Sequence, residues 1–262
     1  MSECRTEPVS IEFFDANAFI GRPIGGAVKS VETSADILTE MDDLSIGKAV
    51  IWHIDQYGSS PVSGNGFVNS VVGESERLLG CWTILPPQTD EVIDSEFFSR
   101  MKHNRVVCLR AFPDHHNYLL SRQVFGGFLD EVVERRVPLL LSMSGMPGGI
   151  TWRSAYELLK DYPDLTCILC DTGVWLTDRY TRPLLENYPN VSLETSLVSL
   201  GARVVESIVA KYGAGRLVFG SGFPLRYPEA PMLQLIHAEI SHEDKKMIAS
   251  GNLENVISRV GL

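Results

Sequence analysis

The chain has 262 residues, of which 44% are hydrophobic and 21% are charged, and its formal net charge is −10. This composition is typical of a folded globular protein and excludes a mostly disordered chain. The negative charge argues against a nucleic-acid-binding or anionic-membrane surface, and no apolar run reaches the ~18 residues of a membrane span. Residues 1–7 include two glutamates and lack the apolar core of a signal peptide, so we expect a cytoplasmic protein.

Eight short apolar segments recur along the chain, and each has the length and composition of a buried strand. They cover residues 11–14, 49–54, 78–84, 106–112, 137–143, 165–171, 191–195 and 216–221. Their spacing of roughly 25–35 residues is typical of βα units. The continuous apolar character favours a parallel sheet that is covered on both faces.

Segments with apolar residues at helical spacing separate these strands. They cover residues 34–44, 67–76, 94–102, 121–135, 152–160, 176–186 and 201–212, followed by tail helices at 232–239, 242–250 and 253–260. The glycine-, serine- and proline-rich stretch 57–66 is predicted to be a loop. The alternation predicts an α/β protein with one (β/α)8 TIM-barrel domain over residues 1–262. A doubly wound open sheet is the alternative, but no glycine-rich dinucleotide turn follows the first strand.

In such a barrel, catalytic groups lie at the carboxyl ends of the strands. The polar residues at the predicted strand ends are Asp15, Asn17, His53, Asp55, Thr83, Arg110, Ser142, Ser144, Asp171, Thr172, Glu194, Thr195 and Ser221. This set could supply proton transfer and an anchor for a substrate carboxylate. The adjacent pair His115 and His116 is interpreted as a surface loop, because neighbouring residues rarely bind one metal ion.

Two residues of this set are candidates for catalysis. Asp171 could act as a general base with a raised pKa, or its charge could simply be neutralised by Arg110 or a helix N-terminus. His53 could transfer protons near neutral pH, or could be a packed, hydrogen-bonded core residue.

Four residues are candidates for substrate binding. Arg110 could bind a carboxylate through two hydrogen bonds, or could neutralise acids in the barrel. Asp15, Asn17 and Ser142 complete the set, although Asp15 could instead orient the first loop and Asn17 could form an asparagine turn. Glu194 is predicted to face outward into the helix layer, because strand residues alternate sides.

The five cysteines are predicted to be reduced and mostly buried, because four of them lie in or beside apolar runs. Cys167 and Cys170 have the spacing of a CxxC motif. They lie within a predicted strand, where their side chains point to opposite faces, and no second pair completes a zinc site. A metal or redox role is therefore not expected.

Several motifs resemble those of the amidohydrolase-related TIM-barrel hydrolases and decarboxylases, which are metal-dependent. The similar segments cover almost the whole chain. They are Phe-Asp-Ala-Asn-Ala-Phe-Ile-Gly at 14–21, the helix and strand at 35–50, the strand at 137–142, the segment 162–173, Phe-Gly-Ser-Gly-Phe-Pro at 219–224 and the closing segment 244–252. The resemblance implies a TIM barrel acting on small molecules, and an assembly that could be a homodimer.

The residues at the family's metal-binding positions differ from the family pattern. By resemblance, Asn17 and Phe19 stand where the opening motif has two histidines, Ser142 and Asp171 stand at two later histidine positions, and Gly222 stands at an aspartate position. Phenylalanine and glycine side chains offer no ligand atoms, and serine and asparagine are weak ligands. We therefore expect no catalytic metal and no other cofactor.

Two functions remain open. The first is a metal-independent hydrolase or lyase that acts on a small organic acid, lactone or ester, with Arg110 as the carboxylate anchor and Asp171 and His53 as proton-transfer groups. The alternative is a catalytically silent pseudoenzyme barrel that serves as a ligand-binding or interaction scaffold. In both cases the expected partner is a small molecule.

Overall fold

A computed structural model describes residues 11–22, 26–143, 149–173, 176–198 and 203–262. Within these ranges, eight parallel strands form one sheet in which each strand pairs with the next along the chain. They are β1 (Phe13–Ile20), β2 (Ile46–His53), β3 (Leu78–Thr83), β4 (Val106–Ala111), β5 (Leu139–Ser142), β6 (Cys167–Cys170), β7 (Val191–Glu194) and β8 (Leu217–Val218). The sheet forms a nearly closed barrel with helices between the strands, which confirms the predicted (β/α)8 fold.

Helices follow most strands and cover the outside of the barrel. In the described ranges they are α1 (Ser34–Asp43), α2 (Asp55–Gly58), α3 (Pro61–Gly73), α4 (Phe97–His103), α5 (Arg122–Glu134), α6 (Trp152–Asp161), α7 (Asp178–Asn187), α8 (Thr195–Val198), α9 (Val204–Tyr212), α10 (Glu229–His237), α11 (His242–Lys246) and α12 (Asn252–Ser258). A π-helical turn, Met247–Gly251, joins α11 to α12. None of these helices is long and apolar enough to cross a membrane.

Alternation along the strands divides the buried side chains into two layers. In β4, Leu109 packs in the large cluster between the strands and the helices, whereas Cys108 belongs to the smaller cluster inside the barrel. Arg110 follows the same alternation and points inward, where its guanidinium lies over the ring of Trp52. The inward residues nearest the carboxyl ends of the strands therefore meet at one end of the barrel, which we call the barrel mouth.

The first and last strands meet through single hydrogen bonds rather than a continuous ladder. The amide of Ala16 donates to the carbonyl of Phe219 at 3.0 Å, and the amide of Gly222 donates to the carbonyl of Asn17 at 2.9 Å. A register shift in β1 marks a β-bulge near this seam. The eighth strand is predicted over residues 216–221, but in the structure it covers only Leu217–Val218. The residues that follow no longer pair as a strand and lie at the barrel mouth.

The predicted loop at 57–66 is wrong, since most of it is helical. Helix α3 begins at Pro61, a favourable first position, and the hydroxyl of Ser60 caps it by accepting from a backbone amide. Gly64 lies on the buried face of this helix, where an added Cβ would overlap with Gln56. Gly64 therefore allows close packing of α3 against α2, and the small residues of this stretch do not mark a loop.

The cysteine prediction agrees with the described structure. Cys81, Cys108, Cys167 and Cys170 are free and buried, and burial raises the pKa of each thiol. Cys167 packs in the outer layer and Cys170 in the inner one, as expected for strand residues three apart. Cys4 and Ser144 lie outside the described residues.

Candidate functional site

Arg110 lies at the centre of the barrel mouth and is fully buried. Its Nη2 donates to Oδ1 of Asn17 at 2.7 Å, and its Nη1 donates to Oγ of Ser142 at 3.1 Å. The guanidinium carbon lies 4.8 Å from the centre of the Trp52 ring. Nε of Arg110 has no hydrogen-bond partner. Three of the predicted site residues, Arg110, Asn17 and Ser142, are thus in direct contact.

Asn17 connects this guanidinium to a buried acid. Its Nδ2 donates to Oε2 of Glu194 at 3.4 Å, a long hydrogen bond. The Glu194 carboxyl also accepts from the amide of Ser196 at 2.5 Å and from its hydroxyl at 2.8 Å. Burial, and the nearby charge of Asp171, raise the pKa of Glu194 to about 8. Near neutral pH, Glu194 is therefore largely a neutral carboxylic acid inside the barrel.

The prediction that Glu194 faces outward is wrong. Alternation along β7 places Leu193 in the outer layer and Glu194 in the inner one, the reverse of the expectation. Gly220 provides the room, because a Cβ added there would overlap with the Glu194 side chain.

Asp171 is at the end of β6 and pairs with an arginine that the sequence analysis did not select. Its Oδ1 accepts from Nη1 of Arg226 at 2.7 Å, and the side chains of Asp171 and Arg226 are 3% and 23% exposed. The backbone of Asp171 is left-handed, with φ of +54°. Such a conformation is unfavourable for a residue other than glycine and often accompanies a functional site. The charge of Asp171 also acts on Glu194, whereas Asp171 forms no hydrogen bond with Arg110 or Asn17 in the described structure.

Asp15 occupies a different position, on the seam between the first and last strands. Its Oδ1 accepts from the amides of Asn17 at 2.8 Å and Ser221 at 3.0 Å, and its Oδ2 accepts from the hydroxyl of Ser221 at 2.5 Å. Burial raises the pKa of Asp15, and the hydrogen bonds oppose that rise. Asp15 lies within β1, so these contacts join the bulged part of that strand to the segment after β8 and do not orient a loop.

His53 is not brought together with Asp171. Its ring lies against Phe67 of α3, with ring centres 4.7 Å apart, and its Nδ1 accepts from the amide of Asp55 at 3.1 Å. The neighbouring Trp52 points into the barrel, so His53 points towards the helix layer. Burial lowers the pKa of His53, although the charge of Asp55 opposes that shift.

Aromatic side chains cover the inner side of the mouth. Phe19 packs against Trp52 with ring centres 4.7 Å apart, and Trp52 packs against Phe112 at 5.6 Å. All three residues are buried. Arg110 is therefore enclosed by aromatic rings on one side and by Asn17 on another.

The residues that the sequence resemblance places at the family's metal-binding positions are a poor fit for a divalent ion. Phe19 packs in the aromatic cover, and Asn17 and Ser142 already accept hydrogen bonds from Arg110. At Gly222, an added Cβ would overlap with Nη1 of Arg226, so a cationic group lies where a ligand side chain would begin. No group of three or more His, Cys, Asp or Glu side chains suited to a metal ion occurs in the described ranges.

Three residues of the cluster were missed or misplaced by sequence reasoning. Arg226 lies four residues beyond Gly222, outside any predicted strand, and Ser196 follows β7 by two residues. One signal was available: a charged residue within an apolar strand, such as Glu194, is rarely buried without partners.

Comparison with solved structures supports the fold assignment. A dihydroxybenzoic acid decarboxylase from Polaromonas sp. JS666, with bound manganese and the inhibitor 2-nitroresorcinol, is 14% identical, with a TM-score of 0.68 over 95% of this chain and 97% of that one. A 2,6-dihydroxybenzoate decarboxylase from Rhizobium is 15% identical, with a TM-score of 0.71 over 95% and 99%. A probable 2-pyrone-4,6-dicarboxylic acid hydrolase from Acinetobacter baumannii, with citric acid bound, is 13% identical, with a TM-score of 0.71 over 94% and 99%.

Comparison of the sequence with known proteins and with family models tests whether the chain belongs to a family. No curated protein matches the chain. The model of the amidohydrolase family, Amidohydro_2, matches residues 32–254, which include all the strands except β1. The chain therefore belongs to the amidohydrolase family.

Proposed function

We propose that this chain is a hydrolase or lyase that acts on a small organic acid at the barrel mouth without a catalytic divalent metal. One observation carries the proposal: within the described residues, the buried guanidinium of Arg110 has only neutral hydrogen-bond partners. The carboxylate of a substrate would supply the missing negative charge.

The argument for a carboxylate rests on the cost of burying charge. An ionised group away from water is stable only when it is paired or fully hydrogen-bonded. Arg110 has the amide oxygen of Asn17, the hydroxyl of Ser142 and the face of Trp52, and its Nε is unpartnered. A carboxylate matches the planar donor arrangement of a guanidinium and can bind it through two parallel hydrogen bonds.

Glu194 and Asp171 are the proton-transfer groups of this proposal. Glu194 carries a proton near neutral pH and can donate it, whereas Asp171 is paired with Arg226 and suits the role of base. In a lyase reaction, Glu194 would protonate the carbon that loses carbon dioxide. In hydrolysis, Asp171 would take a proton from the attacking water and Glu194 would protonate the leaving oxygen.

Asn17 links the anchor to the acid. It accepts from Arg110 and donates to Glu194, so a substrate bound by Arg110 would lie one amide away from the proton donor. Ser142 is the second neutral partner of Arg110, and Asp15 supports the bulged part of β1 that carries Asn17. His53 has no part in this proposal, because its contacts direct it towards the helix layer.

The activities named for the structural relatives suggest which acids to test. Two are decarboxylases of dihydroxybenzoic acids, and one is a probable hydrolase of a pyrone dicarboxylic acid. Aromatic monocarboxylic acids and lactone dicarboxylic acids therefore form the first panel for this chain.

A silent ligand-binding barrel is the second candidate, and a specific observation favours it. Phe19, Trp52 and Arg110 are buried, and the side chains of the mouth satisfy most of each other's hydrogen bonds. A substrate would have to displace part of this arrangement before it reached Arg110.

The decisive experiment measures turnover and binding of the acid panel after exhaustive dialysis against a chelator. We expect the dialysed protein to convert at least one acid, Glu194→Gln to lose that turnover while still binding the acid, and Arg110→Met to lose binding. Arg203→Met, which removes an exposed ion pair with Glu239, is the matched control and should be unaffected. Binding without turnover in the wild type would favour the silent barrel, and turnover that returns only with added metal would contradict a metal-free reaction.

A further inference from the structure

Gly222 and Arg226 are fitted to each other. Gly222 has a left-handed backbone, with φ of +67°, and a Cβ built on it would overlap with Nη1 of Arg226. The amide of Arg226 donates to the carbonyl of Gly222 at 3.2 Å, which fixes the turn between them. The absence of a side chain at 222 therefore creates the space that the guanidinium fills.

We propose that the guanidinium of Arg226 is the permanent cation of the barrel mouth, and that it takes the place of a divalent metal ion beside Asp171 and Glu194. This inference deepens the proposed function, because it names the group that makes the site independent of metal. It concerns which cation lies beside Asp171 and Glu194, so it can be tested by metal binding and stability without measuring turnover.

The surroundings of Arg226 have the charge pattern that a cation requires. Nη1 lies 2.7 Å from Oδ1 of Asp171, and the positive charge of Arg226 also acts on the neighbouring Glu194. Among the described residues, Arg110 is a further charged group on the barrel side, and Asn17 lies between it and Glu194. Asp171, Glu194 and the guanidinium of Arg226 thus form a compact unit at the ends of β6 and β7.

The same geometry disfavours a bound divalent ion. A metal beside Asp171 would lie next to a guanidinium, and two cations at such a distance repel strongly in a buried site. By the sequence resemblance, the family has an aspartate at the position of Gly222, which here has no side chain to offer a metal. The guanidinium of Arg226 and a divalent metal ion would therefore occupy the same space beside Asp171, and the two exclude each other.

The test is a calorimetric titration with Mn²⁺ alone, applied to the wild type, Gly222→Asp, Arg226→Gln and the double variant Gly222→Asp/Arg226→Gln. We expect no binding to the wild type or to Gly222→Asp, in which Arg226 remains. We expect one Mn²⁺ per chain in the double variant, because Asp171, Glu194 and the new carboxylate would then converge without an opposing cation. Stoichiometric binding to the wild type or to Gly222→Asp would overturn the inference, as would no binding to a folded double variant.

A second measurement covers the case in which the double variant does not fold. Thermal unfolding of Arg226→Lys and Arg226→Gln separates the charge of the side chain from its bulk. We expect Arg226→Gln to lose at least about 5 °C in Tm, and Arg226→Lys to lose less than half of that. Arg182→Gln, which removes a more exposed arginine–aspartate pair in α7, is the control and should lose little. Equal losses in the Lys and Gln variants would exclude a charge role.

Discussion

At the scale of single residues, Glu194 makes the clearest link between burial and pH. Its ordinary pKa is 4.5, and burial together with Asp171 raises it to about 8 in the folded chain. The folded state thus binds this proton more tightly than the unfolded state does. The stabilisation is fully present below pH 4.5 and is lost as the pH rises through 8.

Replacing Glu194 by glutamine should flatten this pH dependence. The variant has no proton to lose, so its free energy of unfolding should rise relative to that of the wild type between pH 5 and pH 9. The difference at high pH should be on the order of a few kcal/mol, since one unit of pKa corresponds to about 1.4 kcal/mol. Urea unfolding at several pH values measures it, with the exposed Glu157→Gln as the control. Parallel curves for wild type and Glu194→Gln would contradict the raised pKa.

The sequence indicated which polar residues at the strand ends belong to the site, but it did not indicate which side chains they contact. Arg110, Asn17 and Ser142 were selected from their positions after apolar strands, and the structure places them in contact. Arg226 was not selected, because it follows β8 in a segment without strand or helix periodicity. Only the three-dimensional fit between Gly222 and Arg226 identifies it.

At the scale of elements, α3 explains why glycine misled the prediction. Gly64 and Gly66 lie two residues apart in one helix, so they point to different sides of it. An added Cβ at Gly64 would overlap with Gln56, whereas nothing lies within 4 Å of the corresponding position at Gly66. Composition alone cannot distinguish a glycine needed for packing from a glycine in a loop.

The two glycines should therefore respond in opposite directions to alanine. Gly66→Ala should stabilise the protein by about 0.5–1 kcal/mol, because alanine loses less conformational freedom in a helix. Gly64→Ala should destabilise it by about 1–3 kcal/mol, because the methyl group would force Gln56 away. Chemical unfolding of both variants measures the difference. A similar response at both positions would argue against the close packing of α2 and α3.

At the scale of the whole molecule, the barrel depends on a seam between residues about 200 positions apart in the chain. The eight-strand count and the barrel class were predictable, because each strand–helix unit repeats the same local pattern. The closure of the barrel was not predictable, because β8 is short and the segment that follows it contacts β1 through single hydrogen bonds. A pairing made by a carboxylate and a hydroxyl leaves no periodic signal in a sequence.

Removing the hydroxyl of Ser221 should loosen this seam. Ser221→Ala would deprive the buried Asp15 of its hydrogen bond at 2.5 Å and would leave the amide of Phe223 without its acceptor. The expected loss is about 1–3 kcal/mol in the free energy of unfolding. Ser192→Ala is the matched control, because Ser192 is a buried serine on a barrel strand and has no side-chain hydrogen bond in the described structure.

The pH dependence of the Ser221→Ala variant distinguishes a seam effect from a general loss of packing. The hydrogen bond from Ser221 opposes the rise in the pKa of Asp15, so its removal should raise that pKa further. A group with a raised pKa loses its stabilisation as the pH rises, so the deficit should be larger at pH 8 than at pH 4. Hydrogen exchange should also quicken at the amides of Ala16 and Gly222, which cross the seam. A deficit that is independent of pH, with unchanged exchange at these two amides, would mean that the barrel is closed by packing and not by the Asp15–Ser221 pair.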